Sequence, residues 1–202
     1  MKKQVVVIHG GDSFNSYKEY LDDLKATKID IERFGAKRWK DTLGQTLGKN
    51  FQVIAPRMPN AGNSRYIEWK IWFRKLFPYL KNGVVLIGHS LGGIFLAKYL
   101  SEEKFPKKIG ATILVAAPYF HRGRKNLPKD WILPVSLLRF DKQGGKIFLY
   151  QSKDDKVVPF ADVKRYKKSL PTATERIFTN EGHFALEKFP EIVRDIKSIS
   201  KK

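Results

Sequence analysis

Ser90 stands in Gly88-His-Ser90-Leu91-Gly92, directly after the apolar run Val84-Val-Leu-Ile87 and directly before Gly93-Ile-Phe-Leu-Ala-Lys-Tyr-Leu100. A serine on a sharp turn from a buried strand into a helix has its hydroxyl lifted above the end of a sheet, where it can serve as a nucleophile. Glycines at 88 and 92 suit that turn, because it brings backbone segments too close together for side chains. The next residue, Leu91, would present its N–H at the positive end of the following helix, where a developing oxyanion is stabilised.

A serine hydroxyl is a poor nucleophile until a base takes its proton, and the base must in turn be oriented by an acid. Four histidines are available, at positions 9, 89, 121 and 183. His89 adjoins Ser90 on the turn and cannot readily point back at the hydroxyl. His9 closes the first apolar run beside Gly10 and Gly11 and reads as loop framework. His121 falls in a long connection and reads as an exposed polar residue. His183, in Asn180-Glu-Gly-His183-Phe, follows the last expected strand and precedes the final helix, so its loop opens at the same sheet edge as Ser90. Position and elimination make His183 the expected base. Asp154 and Asp155 both stand just past Ile147-Phe-Leu-Tyr150, and their position alone leaves the choice of acid open.

These residues need a scaffold that brings strand ends together. Compact apolar runs at 4–9, 51–55, 84–88, 111–116, 146–150 and 176–178 end at glycine, proline or polar residues, as buried parallel strands do. Between them the apolar period changes to that of helices. In 64–80, Trp69, Trp72, Phe73, Leu76, Phe77 and Leu80 recur at spacings of three and four, one stripe on one helix that Pro78 ends or kinks. Such a regular stripe is core rather than a ligand box. Further helical patterns cover 17–24, 36–47, the stretch after Ser90, 161–169 and 185–199. Alternating strand and helix predicts one α/β domain over residues 1–202, a mostly parallel sheet of about six strands with helices on both faces. Two connections exceed what the alternation needs. The first, 12–50, has no evident role; the second, 118–145, is expected to wall a pocket.

Composition narrows the remaining classes. With 202 residues and 42% hydrophobic content the chain can bury one sizeable core. It contains no cysteine, and its first apolar run stops at His9, too soon for a secretion signal, so the expected location is cytoplasmic. No run reaches the length of a transmembrane helix. Neither a cysteine set nor clustered histidines are available to hold a metal, so no metal or organic cofactor is expected. The net charge of +19 invites an anionic partner. The basic residues are nevertheless spread along the chain, and the densest runs, at 33–40, 122–129 and 164–168, are short and belong to different elements. They read as a solvated surface with at most weak anionic-surface binding, and no specific nucleic-acid partner is expected.

Several motifs together resemble those of the α/β-hydrolases, and within them the small retinoblastoma-binding-protein-like (YdeN-like) serine hydrolases. They are Val7-Ile-His9-Gly10, Ala55-Pro-Arg-Met-Pro59, Trp69, Gly88-His-Ser90-Leu-Gly-Gly93, the Asp-x-x-Val-Pro of Asp155 to Pro159, and Glu181-Gly-His183-Phe. The Ser–Asp–His order is that of the superfamily. The resemblance implies Asp155, three residues before Val158, as the acid, and an oxyanion hole formed by the N–H groups of Gly11 and Leu91. It implies hydrolysis of small or medium acyl esters through an acyl-enzyme. The same machinery would serve an amide or a thioester, and an inactive binding module on this scaffold is the alternative. The long 12–50 connection departs from the family, so substrate preference is not carried over, and the sequence gives no oligomeric state.

Overall fold

Successive side chains of a strand point to opposite faces, so a strand buried on both sides must be apolar at every position. Val5, Val7, Val85, Ile87, Ile113 and Val115 accordingly enter one core, and Val6, Ile8, Val84, Leu86 and Leu114 enter another on the opposite face. The computed structural model describes residues 2–31, 35–120 and 128–199. In it six strands, β1 (Lys3–Ile8), β2 (Phe51–Ile54), β3 (Val84–His89), β4 (Ile109–Val115), β5 (Lys146–Ser152) and β6 (Thr174–Phe178), form one sheet in the order β2-β1-β3-β4-β5-β6. Every adjacent pair is parallel. The α/β architecture with helices on both faces is therefore as the apolar patterning predicts.

Helices α1 (Tyr17–Ala26), α2 (Trp39–Leu47), α3 (Tyr66–Arg74), α4 (Leu91–Glu102), α5 (Leu138–Gln143), α6 (Ala161–Ser169) and α7 (Pro190–Ile199) are found among the described residues. Trp39, Leu43 and Leu47 of α2 and Ile192 and Ile196 of α7 cover one face. Trp69 and Phe73 of α3, Ile94 and Phe95 of α4, Phe140 of α5 and Tyr166 of α6 cover the other. None of the helices is long and apolar enough to cross a membrane.

The single helix expected over 64–80 is instead α3 followed by a short 3-10 turn, Phe77–Tyr79, with Pro78 at its start. Trp69 is fully buried, but Trp72 is 44% exposed, so the stripe is narrower than its spacing suggests. The last helix starts at Pro190 rather than 185, since residues 183–189 are used as a loop. Proline suits that first helical position, where no backbone donor is needed.

The chain runs from β1 outward to β2, then returns to place β3 on the other side of β1. This reversal opens a crevice at the carboxyl ends of β1 and β3, where open parallel sheets bind ligands. It sets Gly10 beside Ser90 so closely that a Cβ at Gly10 would lie 3.0 Å from the serine Cβ.

Candidate active site

Ser90 occupies the turn between β3 and α4 with φ 54° and ψ −122°, a left-handed conformation that costs a non-glycine residue free energy. Its surroundings hold it there: its N–H donates to the Val115 carbonyl at 2.8 Å, and its own carbonyl accepts from Gly93 at 2.8 Å. The turn tolerates no side chains beside it. A Cβ on Gly88 would lie 2.3 Å from the Gly92 carbonyl oxygen, and one on Gly92 would lie 2.3 Å from that of Ile8. Among the described residues, the Ser90 hydroxyl and the N–H groups of Gly11 and Leu91 make no hydrogen bond. All three residues, including the two expected to form the oxyanion hole, line one cavity.

Asp155 lies just past the end of β5 and His183 past the end of β6. The imidazole Nδ1 lies 2.9 Å and 3.1 Å from the two Asp155 carboxylate oxygens. The aspartate side chain is fully buried, while that of His183 is 22% exposed, so the acid sits behind the base. Burial alone would raise the Asp155 carboxyl. The hydrogen bond with His183 and those donated by the Val158 and Val157 N–H groups outweigh it and hold the group below its ordinary value. With Nδ1 committed to the carboxylate, Nε2 of a neutral His183 is the acceptor, and His183 and Ser90 line a common cavity. Asp154 takes a different part: it accepts hydrogen bonds from the Ser152 hydroxyl and, at 3.0 Å, from the Gly182 N–H, bracing the loop that carries His183.

The remaining histidines divide as follows. His9 is framework, as expected: its Nε2 accepts from the Met58 N–H at 2.8 Å, which leaves Nδ1 to donate to the Gly10 carbonyl at 2.6 Å. His121 lies outside the described residues, as do 33–34 and 122–127 of the basic runs. His89 does turn away from the hydroxyl, toward a partner its sequence position does not reveal. Its Nε2 donates to the His183 carbonyl at 2.9 Å, and its Nδ1 accepts from Lys40 Nζ at 3.2 Å. Burial above all, and then the positive charge of Lys40, pull His89 down to about 3, so it is neutral.

Lys40 was visible in the sequence only as part of a basic run. The 12–50 connection, which has no evident role in the sequence, is fastened to the His183 loop by Trp39. The Trp39 N–H donates to the Leu186 carbonyl at 2.8 Å and its indole N–H donates to the Phe184 carbonyl at 3.1 Å. Asp12, Arg38 and Lys40 from the same connection line the cavity with Ser90 and His183. From the second long connection, Pro118, Phe120 and Pro128 wall the neighbouring cavity, as expected of a pocket wall. Trp131 belongs instead to the core, against Trp69 and Tyr66.

The family model described as serine hydrolase matches residues 32–192 of this chain. The serine hydrolase RBBP9 of Rattus norvegicus is 26% identical over 151 residues, covering 74% of this chain and 78% of the rat protein. Among solved structures, the ydeN gene product of B. subtilis superposes with a TM-score of 0.73 at 19% identity, covering 100% of both chains. A carboxylesterase structure from the thaumarchaeon Nitrososphaera gargenis gives a TM-score of 0.60 at 17% identity, covering 99% of this chain and 92% of that one. At such identities the structural likenesses speak for the fold. The chain belongs to the serine hydrolase family.

Proposed function

We propose that this serine hydrolase cleaves carboxylic esters of small or medium acyl groups through a Ser90–His183–Asp155 triad and an acyl-enzyme. The observation that carries the reading is that Ser90 and His183 face one cavity while buried Asp155 holds the imidazole from behind. Ser90 Oγ attacks the acyl carbonyl as His183 Nε2 takes its proton, forming the C–O bond to the enzyme. Asp155 keeps the proton on Nδ1 and stabilises the imidazolium. The Gly11 and Leu91 N–H groups receive the oxyanion, each donor worth on the order of 3 kcal/mol in the transition state. His183 then protonates the leaving alkoxide, and a water activated by the same imidazole releases the acid.

A fluorophosphonate probe tests this directly. It is expected to phosphonylate Ser90, as mass spectrometry of the digested adduct would read, and the His183→Ala variant should label far more slowly. An unlabelled Ser90, under conditions that label an established serine esterase, overturns the triad.

A further inference from the structure

We propose, building on the ester-hydrolase reading, that the leaving alcohol of the substrate carries an anionic group, a carboxylate or a phosphate, while the acyl group is short and apolar. Two cavities meet at Ser90. One, of about 260 Å³, is walled by Leu91, Pro118, Phe120, Pro128 and Pro159 and does not include His183. The other, of about 310 Å³, contains His183 together with Arg38 and Lys40. Ester cleavage requires the imidazole that accepted the serine proton to deliver it to the departing oxygen. The alcohol therefore leaves on the His183 side, and the acyl chain rests on the proline-rich side.

The His183 side is positively charged. Arg38 and Lys40 face one carboxylate there, Asp12. A third cavity of about 490 Å³ shares Arg38, Val157 and His183 and adds Lys37 and Lys156, opposed by Asp154. Asp154 is already engaged by Ser152 and Gly182. Neither Arg38 nor Lys40 forms an ion pair among the described residues. Lys40 is not an ordinary surface lysine, since its ammonium is half-buried against His89 Nδ1. Two cations held beside a leaving group without a fixed counter-ion form a receptor for an anion, and a guanidinium suits the oxygen pairs of carboxylate and phosphate alike.

Three butanoate esters separate the possibilities: 3-butanoyloxypropanoate, 2-butanoyloxyethyl phosphate and, as the neutral control, methyl 3-butanoyloxypropanoate. Calorimetric titration of the Ser90→Ala variant reads their binding without turnover. At least one anionic ester is expected to bind about tenfold tighter than the methyl ester, as charge-assisted hydrogen bonds allow. Which of the two binds better distinguishes carboxylate from phosphate. Adding Arg38→Gln, or Lys156→Gln as a second variant, should reduce the preference, whereas exposed Lys104→Gln should leave it intact. Equal affinities for all three esters, or a preference that Lys104→Gln lowers as much as Arg38→Gln does, overturn the proposal. Release of butanoate by the unsubstituted enzyme is followed in parallel. Turnover without an anionic preference removes the charge inference and leaves the hydrolase reading standing. Anionic preference in binding without turnover of any ester overturns the ester-hydrolase reading and the leaving-group assignment with it, and leaves only an anion site beside Arg38.

Discussion

The His89 imidazole donates from Nε2 to the backbone carbonyl of His183 at 2.9 Å, so the residue preceding the nucleophile holds the main chain of the proposed base. The two rings lie 5.0 Å apart, tilted by 50°. Strand β3 thereby fixes both sides of the proposed proton transfer, presenting Ser90 through its turn and steadying His183 through His89. Replacing His89 by Phe keeps the ring and removes the donor, leaving the His183 carbonyl without this partner. The expected cost is about 1–3 kcal/mol of stability, the usual penalty for orphaning a buried polar group. Turnover should fall mainly in kcat, because the imidazole loses its anchor while Phe keeps a ring of similar shape in the cavity wall. Urea unfolding and steady-state kinetics read the two effects separately, and a variant with unchanged kcat would dismiss the positioning role.

The same buried histidine makes the fold sensitive to acid. In the unfolded chain His89 titrates near its ordinary value of 6.5, whereas in the fold it is pulled down to about 3. Between those values the unfolded chain binds a proton that the folded chain does not, so stability is complete above about 6.5 and falls as the pH drops toward 3. Asp155, also depressed, adds a loss that begins only near its unfolded value of 3.8 and continues below it. Thermal midpoints recorded from pH 7.5 to 4 should therefore decline, and His89→Gln should decline less steeply. A flat profile for the unsubstituted protein would contradict the buried neutral imidazole.

The two adjacent aspartates are separable by experiment. Asp155→Asn removes the carboxylate that holds the proton on His183 Nδ1, and the expected loss in kcat is about 10³–10⁴-fold, as for other triads. Asp154→Asn can still accept from Gly182 through its amide oxygen, so ester turnover should stay within about threefold, on the scale of a single weakened hydrogen bond. Kinetics on one neutral ester decide the matter, and the reverse ranking would reassign the acid.

Much of this site could be read before any coordinates. Ser90 and the strand ahead of it form a local pattern, and the position of His183 after the last strand follows from the alternation of strands and helices. The four inner strands were legible because burial on both faces demands uninterrupted apolar runs, whereas the edge strands β2 and β6 contain no buried residue and carry a weaker signal. Other features had no local signal. Trp72 carries the same three-and-four spacing as Trp69, yet only the packing of α3 against α4 decides that Trp69 turns inward. Lys40, His89 and His183 are linked across 49 and 94 residues of sequence, and no periodicity encodes such a contact. In a chain of charge +19, a lysine next to a tryptophan looks like solvated surface until the fold desolvates it. The adjacent pair Asp154 and Asp155 was equally ambiguous, since their different duties depend on which carboxylate the His183 ring meets.

Strain at the serine supplies another test. Ser90 is held at φ 54°, a conformation that glycine adopts without penalty and an L side chain does not. Ser90→Gly should abolish ester turnover yet raise stability by about 0.5–1 kcal/mol relative to Ser90→Ala, which retains the Cβ and hence the strain. Chemical denaturation of the two variants measures the difference. A glycine variant less stable than the alanine one would show that the turn carries no such strain.

The charge of Lys40 provides the last prediction. Burial first, and Arg38 second, lower its ammonium to about 8, with Asp41 opposing. It faces His89 and shares the cavity with His183, Asp12 and Arg38, so an alkaline titration through that range removes one positive charge from the cavity. Above pH 8 the neutral amine can still donate to His89 Nδ1, which preserves the positioning of His183 while the cavity loses one positive charge. KM for 3-butanoyloxypropanoate should therefore climb several-fold between pH 7 and 9.5, and KM for its methyl ester should change far less. Lys40→Arg keeps its charge throughout that range and should suppress the climb. Parallel KM profiles for the two esters would show that Lys40 serves His89 alone and takes no part in recognising the alcohol.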